Sequence, residues 1–278
     1  MENFILNLIN VDGAKDVLIH FLDKLSNGIG WIANKETSKS IAENTYIKEI
    51  QNGNFDPLTK AALISNSGKI IKEYTNQSDI VKNAIQYIEC SAKPEKMEDD
   101  WLAQFMDKAK LVSSKEFQVI WGKVLARECN EPGSIPRTLL YILSQMEREE
   151  AETFTTLCKM TVSVEEDSAP VIIASRWSEY GKFGITFDRI VNLKALGLIE
   201  MNIDEFFPGY ALEASTTPSK VLYFSKEHEF SGSSISIGNV VFTKAGIALL
   251  KSIVVEEMPG FWEEYCLPYF ESTTTEEK

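Results

Sequence analysis

The residue types that most often carry catalysis are sparse in this sequence. It holds two histidines, His20 and His228, which lie 208 residues apart. His20 stands beside the apolar face of a predicted helix, and His228 lies in a charged stretch that we interpret as a solvated turn. Nucleophilic catalysis and metal binding need several such groups close together. The pattern therefore predicts no catalytic residues and no metal ligands, and an enzyme with a new kind of site is kept only as a third hypothesis.

The cysteines and glycines give no sign of a cofactor. Cys90, Cys129, Cys158 and Cys266 are never closer than 29 residues, so no zinc-ligand spacing occurs and four buried, reduced thiols are expected. The sequence contains no phosphate-binding loop of the type G-x-x-x-x-G-K-[ST]. No cofactor is predicted.

A cluster of large and charged residues in the centre of the chain is the first candidate site. Its members are Trp101, Trp121, Arg127, Glu128 and Arg137. They could form a binding surface through their charged members. The favoured interpretation is structural: a buried tryptophan lies under an ion pair that fixes the turn at 130–134, because arginine binds carboxylates with fixed geometry.

A second candidate is a short amphipathic helix that precedes a glycine turn and a strand. The helix covers Phe187–Leu196, Gly197 ends it, and a later strand at 241–243 leads into another capped helix. This order predicts a winged-helix-like module. In a DNA-binding protein of that type the helix would enter the major groove.

The candidate recognition residues on that helix are Arg189, Asn192 and Lys194, since arginine and asparagine can read base edges. Asp188 lies in the first turn, however, and the predicted wing at 226–234 carries two glutamates. Both would repel phosphates. A protein-docking use is therefore favoured over DNA binding.

Net charge supports the same choice. The chain has a formal charge of −13, and residues 161–278 hold 9 Lys and Arg against 18 Asp and Glu. Nucleic-acid affinity depends on concentrated positive charge. Charge therefore disfavours nucleic acid as a partner.

The surrounding elements predict a mainly α protein with a smaller α+β part. An amphipathic helix at 13–33 could pack on its own core or on a second copy, which would make a homo-oligomer. We divide the chain into an N-terminal helical region at 1–95, a four-helix segment at 96–160 and the winged-helix-like module with a C-terminal helix at 161–278. A helical bundle followed by that module is the expected architecture.

Several spaced motifs between residues 100 and 261 resemble a known family. They are Asp100-Trp101-Leu102 with Phe105, Gln118-x-x-Trp121-Gly122-x-x-Leu125-Ala126-x-Glu128, Pro132-Gly133-Ser134 with Arg137-Thr138-Leu139, Leu196-Gly197-Leu198-Ile199, Thr243-Lys244-x-Gly246 and Pro259-Gly260-Phe261. Together they resemble the bacterial "domain of unknown function 2806" family over about residues 95–270. The resemblance implies a bacterial, cytoplasmic protein but supplies no function. Its layout is distantly similar to an abortive-infection family, which associates it with phage defence.

These observations lead to one main hypothesis about function. The chain is predicted to be a non-enzymatic interaction or regulatory protein of the cytoplasm, in a phage-defence or stress system, with a protein partner. The alternative is a sequence-specific DNA-binding winged-helix regulator. No segment reaches the ~18–20 uninterrupted apolar residues that a membrane-spanning helix needs.

Overall fold

The computed structural model describes residues 15–31 and 47–275. The chain forms two compact units, Met1–Ser144 and Gln145–Lys278. The predicted helix at 13–33 therefore lies partly outside the described residues, as does the end of the C-terminal tail. The three-part division of the sequence stays a prediction.

Helices make up the first unit. The bounds are α1 Lys15–Ile29, a helical stretch at 47–52, α2 Pro57–Ile85, α3 Asp99–Ala109, α4 Lys115–Asn130 and α5 Arg137–Gln145. Local sequence explains several of these ends. Asp56 accepts the backbone N–H groups of Leu58 and Thr59 at the start of α2, and Ser114 accepts that of Phe117 at the start of α4.

Close backbone approach fixes the packing of α4 on α2. At Gly122 of α4, a Cβ atom would lie 2.6 Å from Cβ of Asn83 and 3.0 Å from the backbone nitrogen of Ala84. Beside this contact, Asn76 of α2 donates to the Lys110 carbonyl and Gln118 of α4 donates to the Val112 carbonyl. These buried amides connect both helices to the end of α3.

The apolar stripe of α1 is buried within the first unit. Leu18, Phe21, Leu22 and Leu25 all lie in the core. The residues that α1 exposes include His20 and Asn27, which are polar. Self-association through residues 13–33 stays a prediction.

The second unit combines helices with short strands. Its helices are α6 Arg148–Lys159, α7 Trp177–Tyr180, α8 Phe187–Leu196, α9 Lys244–Ser252, a π-helical turn Trp262–Cys266 and α10 Leu267–Thr275. Its strands are β1 Thr161–Val164, β2 Asp167–Pro170, β3 Ile199–Met201, β4 Tyr210–Glu213, β5 Ser219–Tyr223, β6 Lys226–Phe230, β7 Ser234–Gly238 and β8 Val240–Phe242.

The strands pair antiparallel in three small sheets. The order in the largest is β2-β1-β5-β6, and β3–β8 and β4–β7 form two-stranded ladders. The pairs are nested along the chain, because β3–β8 encloses β4–β7, which encloses the β5–β6 hairpin. The prediction of a mainly α protein with a smaller β part is confirmed.

Two strand predictions are wrong in detail. The apolar run at 171–173 predicts a short strand, but the structure has a single bridge there, from Ile172 to Gly238. The sequence at 234–243 also predicts a continuous strand, but the structure splits it into β7 and β8 at Gly238. Gly238 has φ +98, and a Cβ atom there would lie 2.2 Å from the Ile172 carbonyl oxygen. Only glycine allows this approach.

Among the described residues, no helix has the length and apolar character needed to cross a membrane.

Candidate interaction surfaces

Glu128 is the centre of the cluster that the sequence singles out. Its side chain is only 1% exposed, and its two oxygens accept hydrogen bonds from the backbone N–H groups of Gly133 (2.7 Å) and Ile135 (2.9 Å). Trp101 Nε1 donates to the Ile135 carbonyl at 3.0 Å. Burial raises the pKa of Glu128, and the two backbone donors oppose that shift. A buried carboxylate therefore holds the turn between α4 and α5.

The other members of this cluster are divided between the core and the surface. Trp121 is buried, and its ring centre lies 5.1 Å from that of Phe105. Arg127 pairs with Glu131, and Arg137 pairs with Glu98 at 2.9 Å. The turn is thus held by Glu128 itself and not by an Arg127–Glu128 pair. A binding role for the cluster stays a prediction.

The candidate recognition helix is α8, with the predicted bounds. Thr186 caps it and Gly197, at φ +82, ends it. Arg189 donates to Glu149 through Nε at 3.0 Å and to the Gly184 carbonyl at 2.9 Å. Lys194 Nζ donates to the Met201 carbonyl at 2.9 Å. Both cations are therefore engaged within the second unit.

The exposed side of α8 is apolar at its centre. Phe187 is 40% and Val191 37% exposed, and Ala195 is exposed as well. These residues are four apart and therefore follow one another along a single helix face. The Trp177 ring packs edge-on against Phe187 at 5.7 Å. We call Phe187, Val191 and Ala195 the α8 stripe.

Asn192 is the remaining recognition candidate. It is exposed next to the α8 stripe, and its side chain makes no hydrogen bond to any residue that the structure describes. Asp188 is exposed on the same helix. Among the three recognition candidates, Asn192 is thus the one whose side chain is not engaged by the described residues, and an apolar stripe and an acidic residue lie on the same helix.

The segment predicted as a wing turn is mostly strand β6, so the interpretation of His228 as a turn residue is wrong. The ring centre of His228 lies 6.2 Å from that of Phe270. Lys226 is bound by Glu257 at 3.3 Å and Glu263 at 2.8 Å. Strand β6 lies at the edge of its sheet, where charged residues discourage pairing with a further strand. This explains why β6 is charged and lacks the alternation of apolar residues that marks most strands.

The sequence analysis does not single out the loop at 202–209, which joins β3 to β4. It carries Asp204, Glu205 and Phe206, and the Phe206 side chain is 91% exposed. Sequence alone offers a turn signal at Pro208-Gly209. An aromatic residue type predicts burial, so this exposure is visible only in the structure.

The thiols and histidines add no catalytic arrangement within the described residues. Three of the four thiols are buried as expected: Cys129, Cys158 and Cys266. Burial raises the pKa of Cys129 to about 12. The fourth, Cys90, is exposed, contrary to expectation. His20 borders an open recess with Asp23 and Glu95. No group of three His, Cys, Asp or Glu side chains that could hold a metal occurs in residues 15–31 and 47–275.

Comparison with known proteins gives a family but no activity. The chain belongs to the family described as "Protein of unknown function (DUF2806)", whose model matches residues 67–263. No curated protein matches the chain, and no solved structure does.

Proposed function

We propose that this member of the DUF2806 family is a non-enzymatic interaction protein that docks a protein partner through its second unit. The observation that carries the proposal is the α8 stripe: the helix exposes Phe187 and Val191 while Arg189 and Lys194 are engaged internally. Exposed apolar groups bordered by polar residues are typical of protein contact sites.

The order of elements supports a winged-helix-like module as the platform. After α6 and the β1–β2 hairpin come the bridge at Ile172, the short helix α7, α8 and β3, and β3 pairs with β8 after β4 to β7. In this arrangement α8 takes the place of the recognition helix, and residues 202–239 take the place of an enlarged wing. A helix in that place is the part of such modules that meets the ligand.

Charge argues for protein and against DNA. Residues 145–278 hold 11 Lys and Arg and 22 Asp and Glu, a net of −11, whereas residues 1–144 have a net of −2. DNA binding needs cations that are free to replace the counterions of the phosphates. Arg189 and Lys194 would first have to leave Glu149 and the Met201 carbonyl.

The test is a charge placed in the α8 stripe. We expect Val191→Asp to weaken partner binding at least about 10-fold, because a buried carboxylate at a docked surface would be desolvated without a partner. The full chain is purified from its host with nuclease, the retained protein is produced separately, and the affinity is measured by calorimetry. Val254→Asp is the matched control, since Val254 is also apolar and exposed in the same unit but outside α8.

Three results would contradict the proposal. The first is equal binding by Val191→Asp and Val254→Asp. The second is nuclease-sensitive retention of DNA that Asn192→Ala weakens, which would favour the winged-helix DNA regulator. The third is turnover of a nucleotide or nucleic acid that Arg127→Ala or Glu128→Ala abolishes.

The cellular setting is proposed on resemblance alone. A bacterial cytoplasmic protein of a phage-defence or stress system is the setting that the family and its layout suggest. The identity of the retained protein tests it, because a partner from such a system would support this setting and a partner from another pathway would contradict it.

A further inference from the structure

The loop at 202–209 presents one aromatic ring to solvent. Phe206 is 91% exposed, and Ile203 is 48% exposed on the same loop. The neighbouring Phe207 turns the other way, since its ring packs against Tyr210 at 4.8 Å. Phe207 is thus half-buried, whereas Phe206 beside it is almost fully exposed.

Hydrogen bonds hold this loop in one conformation. The Asn202 side chain accepts the Asp204 N–H at 2.9 Å, and the Asp204 side chain accepts the Phe206 N–H at 2.9 Å. The Phe207 N–H donates to the Asp204 carbonyl at 3.0 Å. Asparagine and aspartate stabilise turns in this way. The ring is therefore carried by a folded turn and not by a free segment.

Asn239 joins the base of the loop to the rest of the second unit. Its side chain donates to the Asn202 carbonyl at 2.9 Å and accepts the Ala174 N–H at 2.8 Å. Its backbone carbonyl accepts the Asn202 N–H at 3.1 Å. A ring fixed in advance loses less conformational freedom on binding, which favours affinity.

The charges beside the ring define what it can contact. Asp204 and Glu205 flank Phe206, and Glu205 forms no ion pair or hydrogen bond within the part of the chain that the structure describes. The whole second unit is strongly acidic. Anionic lipid surfaces and nucleic-acid phosphates would be repelled. A protein pocket bordered by lysine or arginine would be attracted.

We propose that Phe206 is an anchor that inserts into an apolar pocket with a basic border on a partner protein. This inference rests on the proposed function and specifies the chemistry of the partner. An aromatic anchor of this kind buries a large apolar area, and such residues dominate binding energy at interfaces. Glu205 supplies the complementary charge at the edge of the contact.

The first experiment places a photo-crosslinking phenylalanine, p-benzoylphenylalanine, at position 206 of the full chain in the producing cells. The same residue at position 254 is the control, because Val254 is 81% exposed in the same unit. We expect a distinct adduct with one protein at 206 only, on a peptide that carries apolar residues beside Lys or Arg. Adducts with lipid, nucleic acid or a second copy of this chain would overturn the inference, as would labelling equal to that at position 254.

The second experiment measures affinity for the purified crosslinked protein. Phe206→Ala is expected to weaken binding by about 30-fold, the effect of a hot-spot residue, and Val254→Ala to change it less than about twofold. Glu205→Lys should weaken binding and reduce its salt dependence, whereas Glu166→Lys, an exposed glutamate elsewhere in the unit, should not. Equal effects of each variant and its control would contradict the inference.

Both proposals can fail separately. Loss of binding in Val191→Asp with full binding in Phe206→Ala would leave the α8 stripe as the docking surface and refute the anchor. The opposite pair of results would support the anchor and refute the α8 stripe.

Discussion

Glu128 shows how a single buried carboxylate can organise a turn. Both of its oxygens accept backbone N–H groups, from Gly133 and Ile135, and the Ile135 carbonyl is bound in turn by Trp101. Without the carboxylate, the N–H of buried Ile135 would lose its acceptor, whereas that of Gly133 lies at an exposed position that water can reach. Buried donors that lack an acceptor cost about 1–3 kcal/mol each.

We therefore expect Glu128→Ala to lower the free energy of unfolding by about 1–3 kcal/mol in denaturant titrations. The control is Glu131→Ala, three residues further on, whose exposed pair with Arg127 should contribute no more than about 1 kcal/mol. Similar losses in the two variants would show that Glu128 does not hold the turn.

The pH dependence of the same site has a definite sign. Burial raises the pKa of Glu128 above its ordinary value of 4.5 in the folded chain, so folding favours the protonated form. That contribution is complete below the unfolded pKa and is lost as pH rises through the folded pKa. The stability of the native chain minus that of Glu128→Gln should fall as pH rises from about 4.5. A rise instead would mean that the two backbone donors outweigh burial.

At the scale of elements, the contact between α2 and α4 depends on the absence of a side chain at Gly122. A methyl group there would meet Asn83 and the backbone of Ala84, both on α2. Gly68 provides a comparison within the first unit, because it also lies inside a helix but no described atom lies within 4 Å of its Cβ position.

We expect Gly122→Ala to destabilise the chain by about 1–3 kcal/mol, because backbone atoms cannot move away as a flexible side chain could. Gly68→Ala should instead stabilise it by about 0.5–1 kcal/mol, the usual gain of alanine over glycine in a helix. Thermal or chemical unfolding of the two variants tests this, and a loss of stability in both would refute the account of Gly122.

Helix bounds were predictable where local signals mark them. The sequence predicts a helix over Phe187–Leu196 that Gly197 ends, and α8 has these bounds. The strands were harder, because β6 is a charged edge strand and Gly238 interrupts β7 and β8 through a contact with distant Ile172. The loop that carries Phe206 is joined at its base to Asn239, far along the chain, and a local pattern does not contain that contact.

The interior of the candidate sites was predictable only in part. The sequence places Trp101, Glu128 and the turn near each other, but it suggests an arginine partner where backbone N–H groups bind instead. Arg189 and Lys194 are exposed polar types on a helix in the sequence. Their engagement by Glu149 and the Met201 carbonyl follows from tertiary packing, which the helix pattern does not contain.

At the scale of the whole molecule, net charge is divided unequally between the two units. Nearly all of the excess negative charge lies in residues 145–278. Like charges on one compact unit repel, and added salt screens that repulsion over about 10 Å at 0.1 M.

We therefore expect salt to stabilise the second unit more than the first. Hydrogen exchange of the full chain, followed by mass spectrometry at low and moderate sodium chloride, reports on both units in one sample. Protection should rise more for peptides from 145–275 than for those from 47–144. An equal rise, or a larger one in 47–144, would contradict this prediction.

The nesting of the strand pairs bears on how the second unit folds. Residues 224–225 are the only ones between β5 and β6, so this hairpin can form first, within about 1–10 μs for hairpins in general. Its formation brings β4 and β7 near each other, and their pairing does the same for β3 and β8. Each step then closes only a short loop. The larger loss of chain entropy that would come from pairing β3 with β8 directly, across residues 202–239, is avoided. A slow step at the Phe224-Ser225 turn of this hairpin would therefore delay the pairing of β3, the strand that follows α8, with β8.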